Sequence, residues 1–307
     1  MGGSGGFFGS TVEPGKLARH VREAEEKSQD QQYVTDVNKL ISDLLVAANS
    51  RDSQAVQRHL DTIKEALSKY IEGTVDTIFG GSVSKHTYVE GLSDIDTLVL
   101  LNNSELSDLS PKEAKAYFVE RLRERLPNTE IVEGNLAVTV KFTDIDVQLL
   151  PTIKHNNGYK IPDANGKEWS HINPTEFTSE LSSINKECGG KLIPTIKVAK
   201  VIISNLPEER RLTGYHVEAL ATEIFKEYRG ELTPKAMVEH FFTKAADSVL
   251  TPIKERTGQS SHVDDYLGAK DSLERNIIAS NIGRVARRMA NANGARSADL
   301  WKKIIED

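Results

Sequence analysis

The stretch Ser93-Asp94-Ile95-Asp96-Thr97-Leu98-Val99-Leu100-Leu101 decides how this chain is read. Two aspartates one residue apart run into an unbroken apolar segment rich in branched side chains, the pattern of a buried β-strand. Residues two apart on a strand face the same way, so Asp94 and Asp96 project together. Carboxylates that close repel unless a cation lies between them. A hard dication that prefers oxygen ligands, such as Mg2+, removes the conflict. Taken alone, such a pair is most often solvated, so the neighbouring sequence has to decide.

Upstream, Val75-Asp76-Thr77-Ile78-Phe79 reads as a short strand entering Gly80-Gly81-Ser82, and Val83 to Tyr88 as the start of a short helix. Glycines let the backbone approach a phosphate, and a helix N-terminus offers unpaired N–H groups. Gly81 and the Ser82 hydroxyl are therefore the candidate phosphate-binding groups. Downstream, Ser110 and Pro111 begin a helix that runs to about Leu126. Ala137 to Phe142 and Ile145 to Leu150 then read as two strands joined by Thr143-Asp144, a connection short enough for an antiparallel hairpin. Asp146 lies near the start of the second strand, where an unpaired carboxylate is costly to bury. It is the candidate third metal ligand. Asp144 competes with it, but belongs to the turn, where aspartate is common for local reasons.

Farther out, Met1 to Ser10 is glycine-rich and residues 1–14 read as a flexible start. Gly15 to Tyr70 shows helical spacing through Leu40, Ile41, Leu44, Leu45, Leu60, Ile63 and Leu67. Residues 152–175, rich in Asn, Gly, Asp and Pro, read as a loop or lid in which Tyr159 or Trp169 would be placed to stack on a base. Helical segments follow at about 175–187, 190–205, 214–228, 234–248, 271–292 and 297–306. This order gives the α+β class: a mixed sheet with flanking helices over residues 15–174, a helical lobe over 175–307, and an active site in the cleft between them.

Bulk properties narrow the function. With 307 residues, 38% of them hydrophobic, the chain can bury a large core, and its net charge of −6 argues against a generic nucleic-acid coat. Its single cysteine, Cys188, excludes an intrachain disulfide and a multi-cysteine zinc site, and reads as structural. No apolar stretch is long enough to span a bilayer and no signal peptide is evident, which leads to the expectation of a cytoplasmic protein.

Gly81-Ser82, Asp94-Ile95-Asp96 and the segment Asp146 to Pro151 together resemble the nucleotidyltransferase superfamily of DNA polymerase beta, poly(A) polymerases and 2′-5′ oligoadenylate synthases. Within it, the chain looks most like the bacterial relatives of cyclic GMP–AMP synthase, the oligonucleotide cyclases of CBASS antiphage systems. Phe79 to Asp94 and Gly214-Tyr215-His216-Val217-Glu218-Ala219-Leu220-Ala221 carry the finer likeness, which extends over roughly residues 40–305.

The resemblance implies two Mg2+ ions, with Mn2+ as a substitute, held by Asp94, Asp96 and Asp146. It implies nucleoside triphosphates (ATP or GTP) as substrates and a cyclic di- or trinucleotide product released with pyrophosphate. CBASS regulatory or effector proteins are the implied partners. A helix beyond the third aspartate supplies a lysine to the triphosphate in that family. In the matching stretch Lys191 to Lys200, Lys197 is the first candidate and Lys200 the second. Relatives commonly place a serine where Gly214 stands, and glycine has no side chain to make that contact. With one cysteine, the zinc-bearing insertion of the animal DNA sensor is missing, so no direct DNA requirement is expected.

Several residues read as structural or solvated: His216 and Glu218 at the lobe interface, Lys85 and His86 on an exposed helical face, and Arg284, Arg287 and Arg288 on a solvated one. Two other functions compete: a linear or RNA-tailing nucleotidyltransferase, and a catalytically silent nucleotide sensor. The acidic charge and the lack of an appended module weigh against the first, and the intact aspartates against the second.

Overall fold

A computed structural model describes residues 14–49, 53–68, 76–79, 81–89, 95–134, 136–163, 165–253 and 264–306. The chain starts with two helices, α1 (Pro14–Ala48) and α2 (Ser53–Ser68). Strand β1 (Asp76–Phe79), the one-turn helix α3 (Gly81–Ser84) and strand β2 (Ile95–Leu100) follow. Helix α4 (Pro111–Arg125) leads into strands β3 (Glu130–Glu133), β4 (Val138–Lys141) and β5 (Asp146–His155). Strands β6 (Gly158–Pro162) and β7 (Trp169–Ile172) complete the sheet. The remainder is helical: α5 (Pro174–Glu187), α6 (Leu192–Ser204), α7 (Gly214–Phe225), α8 (Pro234–Ser248), α9 (Leu273–Gly294) and α10 (Ala298–Glu306).

The sheet has the order β1-β2-β5-β4-β3, and β6 and β7 extend it from the far end of β5. Strands β2 and β5 run parallel, with Ile95 opposite Val147 and Leu98 opposite Leu150, while their other neighbours run antiparallel. Pro151 sits just past Leu149, the last residue of β5 that pairs with β4. A proline cannot donate to a ladder, so its position fits the point where β5 leaves one partner and takes up β6. Helix α4 begins as its sequence dictates. Ser110 accepts from the Glu113 N–H at 3.3 Å, and Glu113 in turn accepts from the Ser110 N–H at 2.9 Å, with Pro111 in the first turn.

Alternation sorts the strands into two faces. Val99, Val147 and Leu149 point into a core shared with Ile63 and Leu67 of α2 and Phe118 and Leu122 of α4, all of them buried. Leu98 and Leu150 lie on the opposite face with Ile161 of β6 and Ile172 of β7. A second large core forms among α5 to α10. Helix α1 joins that second core through Tyr33, Val37 and Ile41, whereas residues 22–32 are exposed. The sequence groups both N-terminal helices with the sheet; packing places only α2 there. Tyr33 donates to Asn293 at 2.6 Å and accepts from the Trp301 indole at 2.8 Å, tying α1 to α9 and α10.

Two expectations about local structure need correction. The stretch 152–175 is not a loop: most of it is the end of β5, β6 and β7, closed by a turn at Asn156-Asn157. Gly158 opens β6, and a Cβ there would lie 2.6 Å from the Ile172 carbonyl oxygen, so only glycine lets β6 approach β7 this closely. Of the aromatic residues in this stretch, Trp169 is half-buried and donates its indole N–H to the Leu109 carbonyl at 3.2 Å, and Tyr159 packs against the Leu98, Ile161 and Ile172 cluster. Strand β3 is absent from the sequence reading altogether. Its short segment, Glu130-Ile131-Val132-Glu133, is fixed by pairing with β4 rather than by its own pattern.

Candidate active site

Asp96 and Asp146 stand on the two central strands. In register, Asp96 lies opposite Gln148 and Val147 opposite Ile95. Alternation therefore puts Asp96, Gln148 and Asp146 on one face, the face of Leu98 and Leu150 and away from the α2–α4 core. Both aspartates are half-buried. Leu98 and Leu150 of that face are sealed against β6 and β7, so the carboxylates mark the end of the face nearer the strand starts. Their oxygens are the donor type a hard dication prefers. Asp94, the remaining ligand expected from the sequence, lies outside the described residues. Among the described residues no group of three His, Cys, Asp or Glu side chains assembles that could hold a metal.

Asp144 is engaged elsewhere. Its Oδ1 lies 2.8 Å from Nε2 of His59 on α2, and the His59 ring stacks on Phe142 with centroids 3.9 Å apart. This pair fastens the β4–β5 turn to the helix on the core side, and Asp146 is left as the carboxylate on the strand itself.

The turn after β1 supplies the second part of the site. Gly80 lies outside the described residues, while Gly81 and Ser82 open α3. A single helical turn sums few peptide dipoles, so the backbone and the hydroxyl, more than a helix field, are what it can offer an anion. The Ser82 side chain is buried, and its Oγ has no hydrogen-bond partner among the described residues. An orphaned buried hydroxyl is costly unless an acceptor comes to it, which suits a phosphate oxygen. The turn closes on itself through the Thr87 N–H to the Ser82 carbonyl at 2.9 Å.

Lys85 overturns its expected exposure. It is buried, forms an ion pair with Glu218 of α7, and its ammonium lies 4.5 Å from the Tyr215 ring centroid and 5.1 Å from that of Phe177. Glu218 sits in the apolar run Val217 to Ala221, and a buried acid there required a basic partner; that was the available signal for Lys85. His86 is exposed with φ of 58°. Burial alone would raise the Glu218 carboxyl, but the neighbouring Lys85 and Lys200 ammoniums outweigh it and hold the group at about 2.

The two candidate phosphate lysines separate. Lys197 is half-buried and donates to Asn49, just past α1. Lys200 is buried, 2.7 Å from Glu218 and 3.0 Å from the Thr87 carbonyl, so it is the lysine that reaches the Ser82 turn. Gly214 leaves room for it: a Cβ there would lie 3.4 Å from Lys200 Cε. Beside Gly214, a cavity of about 480 Å3 opens among α6, α7 and α9, bordered by Lys200, Leu212, Gly214, Tyr266 and Ile278. No described strand residue lines it, so it belongs to the helical lobe and not to the aspartate face. His216 behaves as the structural residue expected of it, fully buried with Nδ1 3.0 Å from the Tyr266 hydroxyl. Arg284 and Arg287 are exposed as expected, while Arg288 donates to the Lys303 carbonyl at 2.9 Å.

Known proteins are similar to this chain in sequence and in fold. The curated cyclic AMP-AMP-AMP synthase of Acinetobacter sp. (strain ATCC 27244 / 9458) is 26% identical over 259 residues, 80% of this chain and 68% of that one. The structure of CdnC from E. coli MS115-1 with ATP superposes with a TM-score of 0.65 at 15% identity, covering 88% of this chain and 98% of the other. That of Vibrio cholerae DncV cyclic AMP-GMP synthase, in complex with a linear intermediate, gives a TM-score of 0.60 at 9% identity, over 96% and 90% of the two chains. At such identities the superpositions establish the fold, a nucleotidyltransferase core with a helical lobe. Residues 32–185, half of the 307, match the Second Messenger Oligonucleotide or Dinucleotide Synthetase domain, and the chain belongs to that family.

Proposed function

We propose that this chain is a template-independent nucleotidyltransferase that joins nucleoside triphosphates into a cyclic di- or trinucleotide messenger, releases pyrophosphate, and serves CBASS antiphage signalling. The observation that carries the reading is the shared face of Asp96 and Asp146 on neighbouring parallel strands, in a chain of the second-messenger synthetase family.

In this reading Asp94, Asp96 and Asp146 hold Mg2+. The bound ions would supply charge neutralisation on the triphosphate and acidify the attacking ribose hydroxyl. Ser82, the Gly81 backbone and Lys200 bind and orient the phosphates, with Lys197 placed three residues away on the same helix. Asp146 takes or orients the proton of the incoming hydroxyl, and the helical lobe excludes water from the reacting face. ATP and GTP are the first substrates to try.

The experiment is incubation with labelled ATP, GTP, CTP and UTP, singly and in pairs, with Mg2+ and then phosphatase, read by mass spectrometry. A phosphatase-resistant cyclic product is the expected result. A ladder of linear products would replace the cyclase with a polymerase, and the absence of any product would leave a nucleotide sensor.

A further inference from the structure

Three groups converge on Glu218, a side chain only 1% exposed. Lys85 pairs with its Oε2, the Thr87 hydroxyl donates to its Oε1, and the Lys200 ammonium lies 2.7 Å from Oε1. Lys85 and Thr87 belong to the turn that follows α3 in the core, whereas Glu218 and Lys200 belong to the helical lobe. The cluster is therefore a junction between the two.

Thr87 is the link to the phosphate-binding candidate. Its hydroxyl carries one proton and has two acceptors within reach: the Ser82 carbonyl at 3.5 Å and the much closer Glu218 carboxylate. The charged and nearer acceptor takes the proton. The Thr87 backbone N–H meanwhile closes on the same Ser82 carbonyl at 2.9 Å. Ser82 is thus bracketed by a residue whose side chain is anchored in the other lobe. Its own hydroxyl, 7% exposed, has no partner among the described residues. The junction also holds two buried ammoniums against one carboxylate, an excess of positive charge among the described residues that suits a polyphosphate.

Resting on the proposed function, we infer that Glu218 is a positioning residue for triphosphate binding: through Thr87 and Lys85 it fixes the orientation of Ser82 from the opposite lobe. Glu218 touches no phosphate itself. Ser82 and Glu218 should therefore act as one unit, and removing either should cost what removing both costs.

The test is a double-substitution cycle in the full chain, with Ser82→Ala, Glu218→Gln and both together. The readout is calorimetric affinity for the α,β-methylene analogues of the four nucleoside triphosphates in Mg2+, alongside hydrogen exchange of the ligand-free protein. Each single change should weaken binding roughly tenfold, and the double change should weaken it no further. Without ligand, Glu218→Gln should also speed exchange of the Thr87 amide while leaving α9 and α10 amides protected. Losses that multiply in the double variant, or an affinity untouched by Glu218→Gln, would overturn the inference. Should Glu218→Gln fail to fold, Thr87→Val removes only the linking hydroxyl and must show the same non-additivity with Ser82→Ala. If the wild type binds none of the four analogues, the synthase reading itself fails and takes this inference with it. If it binds and the losses multiply, only the positioning role fails.

Discussion

The ammonium of Lys200 lies 2.7 Å from the Glu218 carboxylate and 3.0 Å from the Thr87 carbonyl, so one buried side chain of the helical lobe ties a second helix to the turn that carries Ser82. Removing it leaves Glu218 with one ammonium fewer and the Thr87 carbonyl without that donor. Lys200→Met should cost about 2 kcal/mol of stability, and Lys197→Met, which loses only a half-buried contact to Asn49, under about 1 kcal/mol. Urea denaturation of both variants measures the difference. In nucleotide assays Lys200→Met should show the larger rise in KM.

Asp96→Ala and Asp146→Ala should each reduce synthesis below about 1% of wild type while moving the melting temperature by only a few degrees. Both carboxylates stand on the face away from the α2–α4 core, so their loss opens no cavity there. Asp144→Ala should behave in the opposite way, with activity largely kept and stability lowered, because it unfastens the turn from His59. Thermal melts and product quantification on the three proteins separate the two roles.

Acid should weaken the protein before the carboxylates titrate. Burial, reinforced by Arg275 and opposed by Asp264, holds His216 at about 4 against an ordinary 6.5. The unfolded chain therefore takes up this proton first. The contribution is intact above pH 6.5 and is lost as pH falls towards 4, amounting to about 3 kcal/mol in full. Glu218, depressed to about 2 from 4.5, loses its contribution only below pH 4.5, so the interval from 6.5 to 4.5 precedes it; burial also lowers His155 and His240, which act in both proteins, so the comparison with a His216 variant singles out His216. Denaturant titrations across that interval should show a steeper loss for the wild type than for His216→Phe. Equal slopes would refute the assignment.

Arg275 is fully buried; it pairs with Asp264 at 3.0 Å and donates to the Val249 carbonyl at 2.9 Å. Arg275→Met leaves a carboxylate that is 3% exposed with the Ile253 N–H still donating at 2.8 Å but without the Arg275 counter-charge. The expected cost is about 3–5 kcal/mol. Adding Asp264→Asn to Arg275→Met should recover part of it, measured by chemical denaturation.

Trp169→Phe should lose about 1 kcal/mol, the value of its indole bond to the Leu109 carbonyl, and leave the KM for nucleotide unchanged. A large rise in KM would place this residue in base recognition as well.

Much of this molecule is written in local sequence. The capped helix from Pro111, the apolar strand from Ile95, the β4–β5 hairpin and the helical run after Pro174 follow from periodicity, caps and turn residues, which act over a few positions. The Asp-x-Asp pair and Asp146 could be singled out for the same reason: a carboxylate inside an apolar strand violates its surroundings visibly. What those signals could not carry is pairing across the fold. Strands β3, β6 and β7 are short and owe their form to a neighbour, and α1 joins the helical lobe because Tyr33, Val37 and Ile41 meet side chains far along the chain. Lys85 is a polar residue in a polar segment, and nothing nearby shows that it is buried. Its place is set by Glu218, more than a hundred residues away, since a buried carboxylate is tolerated only beside its counter-charge. The sequence by itself singled out the aspartates and predicted the strands that carry Asp96 and Asp146. Only the tertiary structure decided which lysine reaches the Ser82 turn and what holds that turn in place, because burial and charge pairing depend on what the fold brings together.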